Sequence, residues 1–127
     1  MDATKVLVVE DSPLNMELVT DILEVNGYEV LHANEARTGI EMAVLNHPDL
    51  IFMDIQLAGM DGLTAIKLLK GDNRTWTIPV TALTAHAMVG DRGKAESVGC
   101  SGYAVKPMDT RQFPKMVASF LNFQKSA

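Results

Sequence analysis

Short apolar runs recur along the chain and predict its strands. They are rich in β-branched residues and lie at 6–9, 30–31, 50–53, 78–83 and 103–105. Runs of this length, bounded by polar and turn-forming residues, are typical of strands. The first and third runs are apolar without alternation, which indicates strands buried on both faces of a sheet.

Apolar residues at helical spacing fill the segments between these runs. Ser12 and Pro13 are predicted to open the first helix, and Gly27 to close it. The second helix is predicted to run from a cap at Asn34 to a stop at Pro48. The apolar stripes are 14, 18, 22 and 25; 36, 40, 43 and 44; 63, 66 and 69; and 113, 116, 117, 120 and 121.

The remaining helices differ in how well their ends are marked. One is predicted to follow Asp61 and to end at Lys70, a cation suited to a helix C-terminus. A short or loosely held helix is expected around 91–98, because Gly90 and Gly93 would each cost about 1 kcal/mol relative to alanine.

Strands that alternate with helices predict an α/β protein. The pattern favours a doubly wound, flavodoxin-like (βα)5 fold, with a five-stranded parallel sheet in the order 2-1-3-4-5 and helices on both faces. Residues 1–127 are expected to form a single domain with no output domain. Trp76, between the third helix and the fourth strand, is predicted to pack locally.

Composition and charge narrow the possible partners. The chain has 127 residues, of which 47% are apolar, enough for one buried core. Sixteen acidic against eleven basic residues give a net charge of −5, which disfavours nucleic acid and anionic membrane surfaces as partners. The single cysteine, Cys100, excludes an internal disulfide, and no apolar run is long enough to span a membrane. We expect a soluble cytoplasmic protein.

Polar side chains stand where the predicted strands end. Glu10 and Asp11 follow the first strand, Asp54 ends the third, Thr84 ends the fourth, and Lys106 follows the fifth. In such a sheet, ligands bind beyond the carboxyl ends of the strands, where the strand order reverses. We therefore expect three carboxylates, a hydroxyl group and an ammonium group to converge at this edge.

Three converging carboxylates predict a metal ion. At about 4 Å and an effective dielectric constant near 20, each pair of like charges repels by roughly 4 kcal/mol, so a cation is needed. Hard oxygen ligands without histidine or thiolate favour Mg²⁺. Asp54 stands alone on the central strand, whereas Glu10 and Asp11 form a pair suited to the metal. Asp54 is therefore the candidate nucleophile for aspartyl-phosphate formation.

Five segments of the chain resemble the receiver domains of two-component response regulators. They are VLVVED at 6–11, DLIFMD at 49–54, MDG at 60–62, ALTA at 82–85 and GYAVKP at 102–107. The chain looks most similar to stand-alone receivers of the bacterial division-control type and to receivers attached to hybrid histidine kinases. This narrower resemblance lies in NMEL at 15–18, DIQL at 54–57 and LTAHAM at 83–88.

The resemblance implies a phosphorylation site that contains Mg²⁺. Asp54 would accept a phosphoryl group from a histidine of a kinase or of a phosphotransfer protein. Glu10 and Asp11 would hold Mg²⁺ together with Asp54. The backbone carbonyl of Gln56 would complete the protein ligands of the metal.

The resemblance also implies a switch. Thr84 would bond one phosphoryl oxygen and Lys106 would neutralise another. Tyr103 would change rotamer as Thr84 moves inward, which would alter the face formed by the fourth helix, the fifth strand and the fifth helix. The peptide bond between Lys106 and Pro107 would be cis. Two residues at the rim of the site would govern the lifetime of the phosphoryl group: Gln56 and His86.

The leading hypothesis is a phosphorylation-activated signalling switch that acts by protein contact. It would catalyse only its own phosphorylation and dephosphorylation, and it would bind a downstream protein as a monomer or weak dimer. One alternative is a receiver cut from a hybrid histidine kinase. Another is a small Mg²⁺-dependent phosphohydrolase, although Gln56 stands where such an enzyme would need a second aspartate.

Overall fold

The helices and strands alternate along the chain. The structure is a computed structural model that describes residues 4–55, 60–84, 93, 97–100, 102–105 and 115. Its elements are β1 Lys5–Val9, α1 Pro13–Val25, β2 Glu29–Ala33, α2 Ala36–Asn46, β3 Leu50–Asp54, α3 Gly62–Lys70, β4 Val80–Thr84 and β5 Gly102–Val105. The helices predicted around 91–98 and 113–121 lie almost entirely outside the described residues.

The five strands form one parallel sheet in the order β2-β1-β3-β4-β5. This is the predicted order. The chain runs from β1 to β2 on one side and then returns to place β3 on the other side of β1. The carboxyl ends of β1 and β3 are therefore neighbours at the reversal, where a ligand crevice is expected.

The core has two layers, one on each face of the sheet. Alternate side chains of the same strands supply both layers, and β1, β3 and β4 are buried almost throughout. The layer under α1 includes Val8, Phe52 and Leu23. The layer under α2 and α3 includes Met53 and Ile66. The described helices thus cover both faces, as the sequence predicts.

The helix ends show which predicted caps form. The Ser12 side chain accepts a hydrogen bond from the Asn15 backbone N–H at 3.4 Å, and Pro13 is the first helical residue, both as predicted. The predicted cap at Asn34 is wrong, because α2 begins one residue later with Glu35 in the cap position. The helix ends at Asn46, and His47 follows it in the left-handed region with a φ of 49°, directly before Pro48.

The predicted contact stripe of α1 is partly wrong. Leu14 and Val25 are 76% and 86% exposed, while the face that meets the sheet contains Val19, Ile22 and Leu23. The apolar residues of α1 form a wider strip than the sheet can bury. Residues at the margin of the stripe therefore project into solvent.

Two expectations around β4 also need correction. Trp76 is 57% exposed, so the local packing predicted for its side chain is wrong. The strand begins at Val80 and not at Ile78. Pro79 precedes it and has no N–H for the ladder, although its carbonyl accepts a hydrogen bond from Ile51 at 3.0 Å. No helix within the described part of the chain is long and apolar enough to cross a membrane.

Candidate functional site

Three carboxylates meet at the carboxyl edge of the sheet. Oxygen atoms of Glu10, Asp11 and Asp54 all lie within 4.8 Å of one another. Glu10 and Asp54 are each only 1% exposed, whereas Asp11 is open to solvent. The predicted convergence of these side chains is therefore present, and Asp11 marks the side from which the cluster is reached.

Backbone hydrogen bonds fix the two buried acids where their strands end. The backbone N–H of Glu10 donates to the carbonyl of Ala33 on β2 at 3.0 Å. Directly after Asp54, the backbone N–H of Ile55 donates to the carbonyl of Leu83 on β4 at 2.9 Å. Because both acids stand at the ends of strands that are hydrogen-bonded on both sides, their carboxylates are held together at short range.

An open cleft of about 410 Å³ leads to the cluster. Its walls are formed by residues after β1, in the first turn of α1, at the end of β2 and in the first turn of α2. Its lining residues are Glu10, Asp11, Pro13, Met16, His32, Ala33, Asn34 and Thr38. A 3.0 Å hydrogen bond between Thr20 Oγ1 and His32 Nε2 joins α1 to β2 beside this cleft. Sequence patterns missed Asn34 and Thr38 here, because their approach depends on the path of the chain after β2.

The charges of the cluster call for a cation. At 4.8 Å and an effective dielectric constant near 20, two carboxylates repel by about 3.5 kcal/mol. Oxygen donors alone, two of them buried and one exposed, fit a small hard ion that keeps part of its water shell. The residues present therefore fit Mg²⁺.

Thr84 and Tyr103 lie on the two strands beyond Asp54. Thr84 is fully buried at the end of β4 and pairs with Val105, while Asp54 pairs with Leu83, the residue before it. Tyr103 is half-buried against the core layer under α2 and α3, and its hydroxyl oxygen is shielded from solvent. Thr84 thus lies on the strand next to the end of β3, whereas Tyr103 lies one strand further, paired with Ala82.

Comparison with known proteins identifies the family. Residues 6–118 match the response regulator receiver domain family. The chain belongs to this family. The polar-differentiation response regulator DivK of Brucella ovis is 41% identical over 116 residues, which cover 91% of this chain and 94% of DivK.

Solved receiver structures share the fold. A putative response regulator from Chloroflexus aurantiacus has a TM-score of 0.91 at 26% identity, covering 95% of this chain and 99% of its own. The receiver domain of a Pseudomonas aeruginosa sensor histidine kinase has a TM-score of 0.88 at 26% identity, with the same coverage. That structure holds a magnesium ion coordinated in its active-site cleft.

Membership of the receiver family identifies the general function of the chain. The chain is a phosphorylation-activated signalling switch of a two-component system, and receivers of this kind are generally switches rather than enzymes. Receiver domains bind Mg²⁺ at an acidic site and interact with histidine kinases or phosphotransfer proteins. The phosphohydrolase alternative is not favoured.

Several predicted site residues lie outside the described residues. They are Gln56, His86, Lys106 and Pro107. The roles expected for the Gln56 carbonyl, the two rim residues, the Lys106 ammonium and the cis peptide therefore stay predictions. Val105 is the last described residue before Lys106 and Pro107, and its backbone pairs with Thr84 at the edge that carries the acids.

Proposed function

We propose that Asp54 of this receiver accepts the phosphoryl group. The observation that carries the proposal is its position: it is the last residue of β3, nearly fully buried, with its carboxylate within 4.8 Å of two other carboxylates. Glu10 and Asp11 belong to the neighbouring β1 end and leave Asp54 as the acid on the central strand. An Asp54 oxygen attacks phosphorus, the new O–P bond forms, and the P–N bond to the donor histidine breaks.

Glu10, Asp11 and Asp54 hold Mg²⁺ in this proposal, with the backbone carbonyl of Gln56. When bound, the ion neutralises charge on the phosphoryl oxygens and on the clustered carboxylates. The burial of Glu10 and Asp54 supports this assignment, because water screens their mutual repulsion poorly. Asp11, the exposed member, supplies a ligand at the entrance of the site.

Thr84 and Lys106 complete the site. The Thr84 hydroxyl donates a hydrogen bond to one phosphoryl oxygen, and the Lys106 ammonium neutralises another. Burial of Thr84 at the end of β4 supports its role, since it stands one residue beyond the backbone partner of Asp54. Lys106 directly follows Val105, the residue that pairs with Thr84.

Signalling follows from a change of packing. The inward movement of Thr84 frees space for Tyr103 to change rotamer, and the face of the fourth helix, β5 and the fifth helix changes with it. Gln56 and His86 at the rim set the lifetime of the phosphoryl group. The donor is a histidine kinase or phosphotransfer protein, and the target is another protein that reads this face in the cytoplasm.

Intact-mass analysis tests the acceptor directly. The chain is incubated with MgCl₂ and acetyl phosphate, and the mass of one phosphoryl group is expected on wild type and on Asp21→Ala, an exposed change on α1. Asp54→Ala is expected to show no adduct. An adduct that survives Asp54→Ala, or none on wild type, would contradict the proposal.

A further inference from the structure

We propose that Gly62 is a positioning residue for the phosphoacceptor. Gly62 is the first residue of α3, and the helix begins there in direct contact with the end of β3. This inference rests on the proposed role of Asp54. A helix can begin without a glycine. We infer that the glycine is needed here because it lets α3 approach the backbone of Asp54 closely.

The contact leaves no room for a side chain. A Cβ atom on Gly62 would lie 2.2 Å from the carbonyl oxygen of Asp54, 2.8 Å from its carbonyl carbon and 2.4 Å from the Cα of Ile55. All three atoms are backbone. No rotamer change can relieve the clash, so either the end of β3 or the first turn of α3 has to move.

Both partners of this contact are anchored. The Ile55 N–H is bonded to Leu83 on β4, so the end of β3 moves only against the sheet. On the other side, Asp61 caps α3 by accepting hydrogen bonds from the N–H of Thr64 at 2.9 Å and from its hydroxyl at 3.1 Å. The buried face of α3 includes Ala65. The first turn of α3 therefore limits how far the backbone of Asp54 can move toward it, and in this way sets the position of Asp54.

The position of Asp54 matters more for reaction than for folding. Its carboxylate faces those of Glu10 and Asp11 within 4.8 Å, and the attack on phosphorus requires alignment within a few tenths of an ångström. A shift at the backbone of Asp54 moves the nucleophile relative to both metal-binding acids. We therefore expect Gly62→Ala to lower the rate of phosphorylation at saturating donor and metal.

Gly39 offers a matched control. It lies in α2, and a Cβ there would also be too close to a strand, at 2.6 Å from Cγ2 and 3.2 Å from Cγ1 of Val9. Here the clash is with a side chain and not with the backbone of the acceptor. Gly39→Ala is therefore expected to lower the melting temperature and to leave the phosphorylation rate per folded molecule within about twofold of wild type.

The experiment measures three quantities on each variant. The thermal melting curve gives the melting temperature and the folded fraction at the assay temperature. Loss of the free Mn²⁺ electron paramagnetic resonance signal gives metal affinity, and intact mass gives the phosphorylation rate with acetyl phosphate. Gly62→Ala is expected to lose about tenfold or more in rate and to bind Mn²⁺ more weakly. A rate within about twofold of wild type, at saturating metal and corrected for folded fraction, overturns the inference.

A milder variant covers the case in which Gly62→Ala does not fold. Asp61→Ala removes an exposed cap and adds no atoms, which loosens the first turn of α3. A fall of about threefold in rate, beyond that of Gly39→Ala, supports the positioning role. A melting temperature that falls while the rate stays unchanged overturns it. If wild type itself carries no phosphoryl group on Asp54, the proposed function has failed instead.

Discussion

Charged side chains are arranged differently at the two edges of the sheet. At the carboxyl edge, Glu10, Asp11 and Asp54 place like charges within 4.8 Å of one another. At the amino edge, in the turn between α3 and β4, Lys70, Asp72 and Arg74 contact carbonyls or an opposite charge. One edge thus uses charged side chains to hold a turn, whereas the other brings like charges together at a place where a cation would reduce their repulsion.

The turn between α3 and β4 shows the matched arrangement. Lys70 Nζ donates to the carbonyls of Trp76 at 3.2 Å and Ile78 at 2.6 Å. The Asp72 carboxylate accepts hydrogen bonds from the Arg74 guanidinium at 2.8 and 3.0 Å. These contacts hold the chain between the two elements in a defined path. Removing one of these hydrogen-bonding side chains should therefore destabilise the fold, whereas neutralising one carboxylate at the carboxyl edge should reduce repulsion.

Metal binding should produce the largest difference between the edges. At a Mg²⁺ concentration of 100 times its dissociation constant, we expect the free energy of unfolding to rise by about 2.7 kcal/mol. Asp11→Asn should lose most of this gain, while Asp72→Asn should keep it. Urea denaturation with and without MgCl₂ measures the effect. Equal stabilisation by NaCl of the same ionic strength would show that screening alone is responsible.

Removal of one carboxylate charge should stabilise the protein without metal. Asp54→Asn keeps the shape of the side chain and removes two of the three repulsive pairs. We expect the free energy of unfolding to rise by at most about 2 kcal/mol at low salt, because Asp11 is exposed and screened and because other contacts of the Asp54 carboxylate offset part of the repulsion. Chelator-treated samples in urea give the measurement. A fall in stability would mean that hydrogen bonds to Asp54 outweigh the repulsion.

The carboxyl edge was the more predictable of the two from sequence. Glu10 and Asp54 each follow a buried apolar run, and parallel strands bring such positions to one edge whatever the details of packing. The close contact at Gly62 was not predictable, because it depends on how closely α3 approaches the end of β3 in space. A glycine at a helix start has several ordinary explanations in sequence.

Helix faces and turns were predicted less well, for two physical reasons. The spacing of Leu14 and Val25 identifies a helix, but it does not say which of two adjacent rows meets the sheet. The exposure of Trp76 follows from hydrogen bonds inside its turn, such as that from the Thr75 hydroxyl to the carbonyl of Leu69 at 2.6 Å. Such bonds leave no periodic signal.

Lys70→Met should show the cost of losing a hydrogen-bond donor. The stem keeps its packing, but the carbonyls of Trp76 and Ile78 lose their donor, so we expect a loss of about 1–2 kcal/mol near neutral pH. Denaturation in urea provides the measurement. An unchanged free energy of unfolding would mean that water replaces the ammonium group without loss.

The pH dependence of this variant supplies a second readout. Burial lowers the pKa of Lys70 from 10.5, against a smaller opposing effect of Cys100. Between the lowered pKa of the folded state and 10.5, Lys70 has lost its proton in the folded protein but still carries it in the unfolded chain. The free energy of unfolding therefore rises with pH over this interval. The advantage of wild type over Lys70→Met should therefore grow in this alkaline interval. A constant difference would contradict the burial of the charge.

Asp72→Asn should give the smallest effect, confined to acid. Hydrogen bonds from Arg74 lower the pKa of Asp72 from 3.8 to about 2. Its contribution to stability is therefore complete above pH 3.8 and is lost as pH falls toward 2. The pair lies at the surface, so wild type should melt only slightly higher than the variant at neutral pH, and less so at high salt. The two melting temperatures should converge near pH 2. A difference that persists at pH 2 would mean that the Asp72 side chain stabilises the turn by a hydrogen bond that does not depend on its charge. The Arg74 backbone N–H donates such a bond to Asp72 Oδ1 at 2.8 Å, and the amide oxygen of asparagine can accept it at any pH.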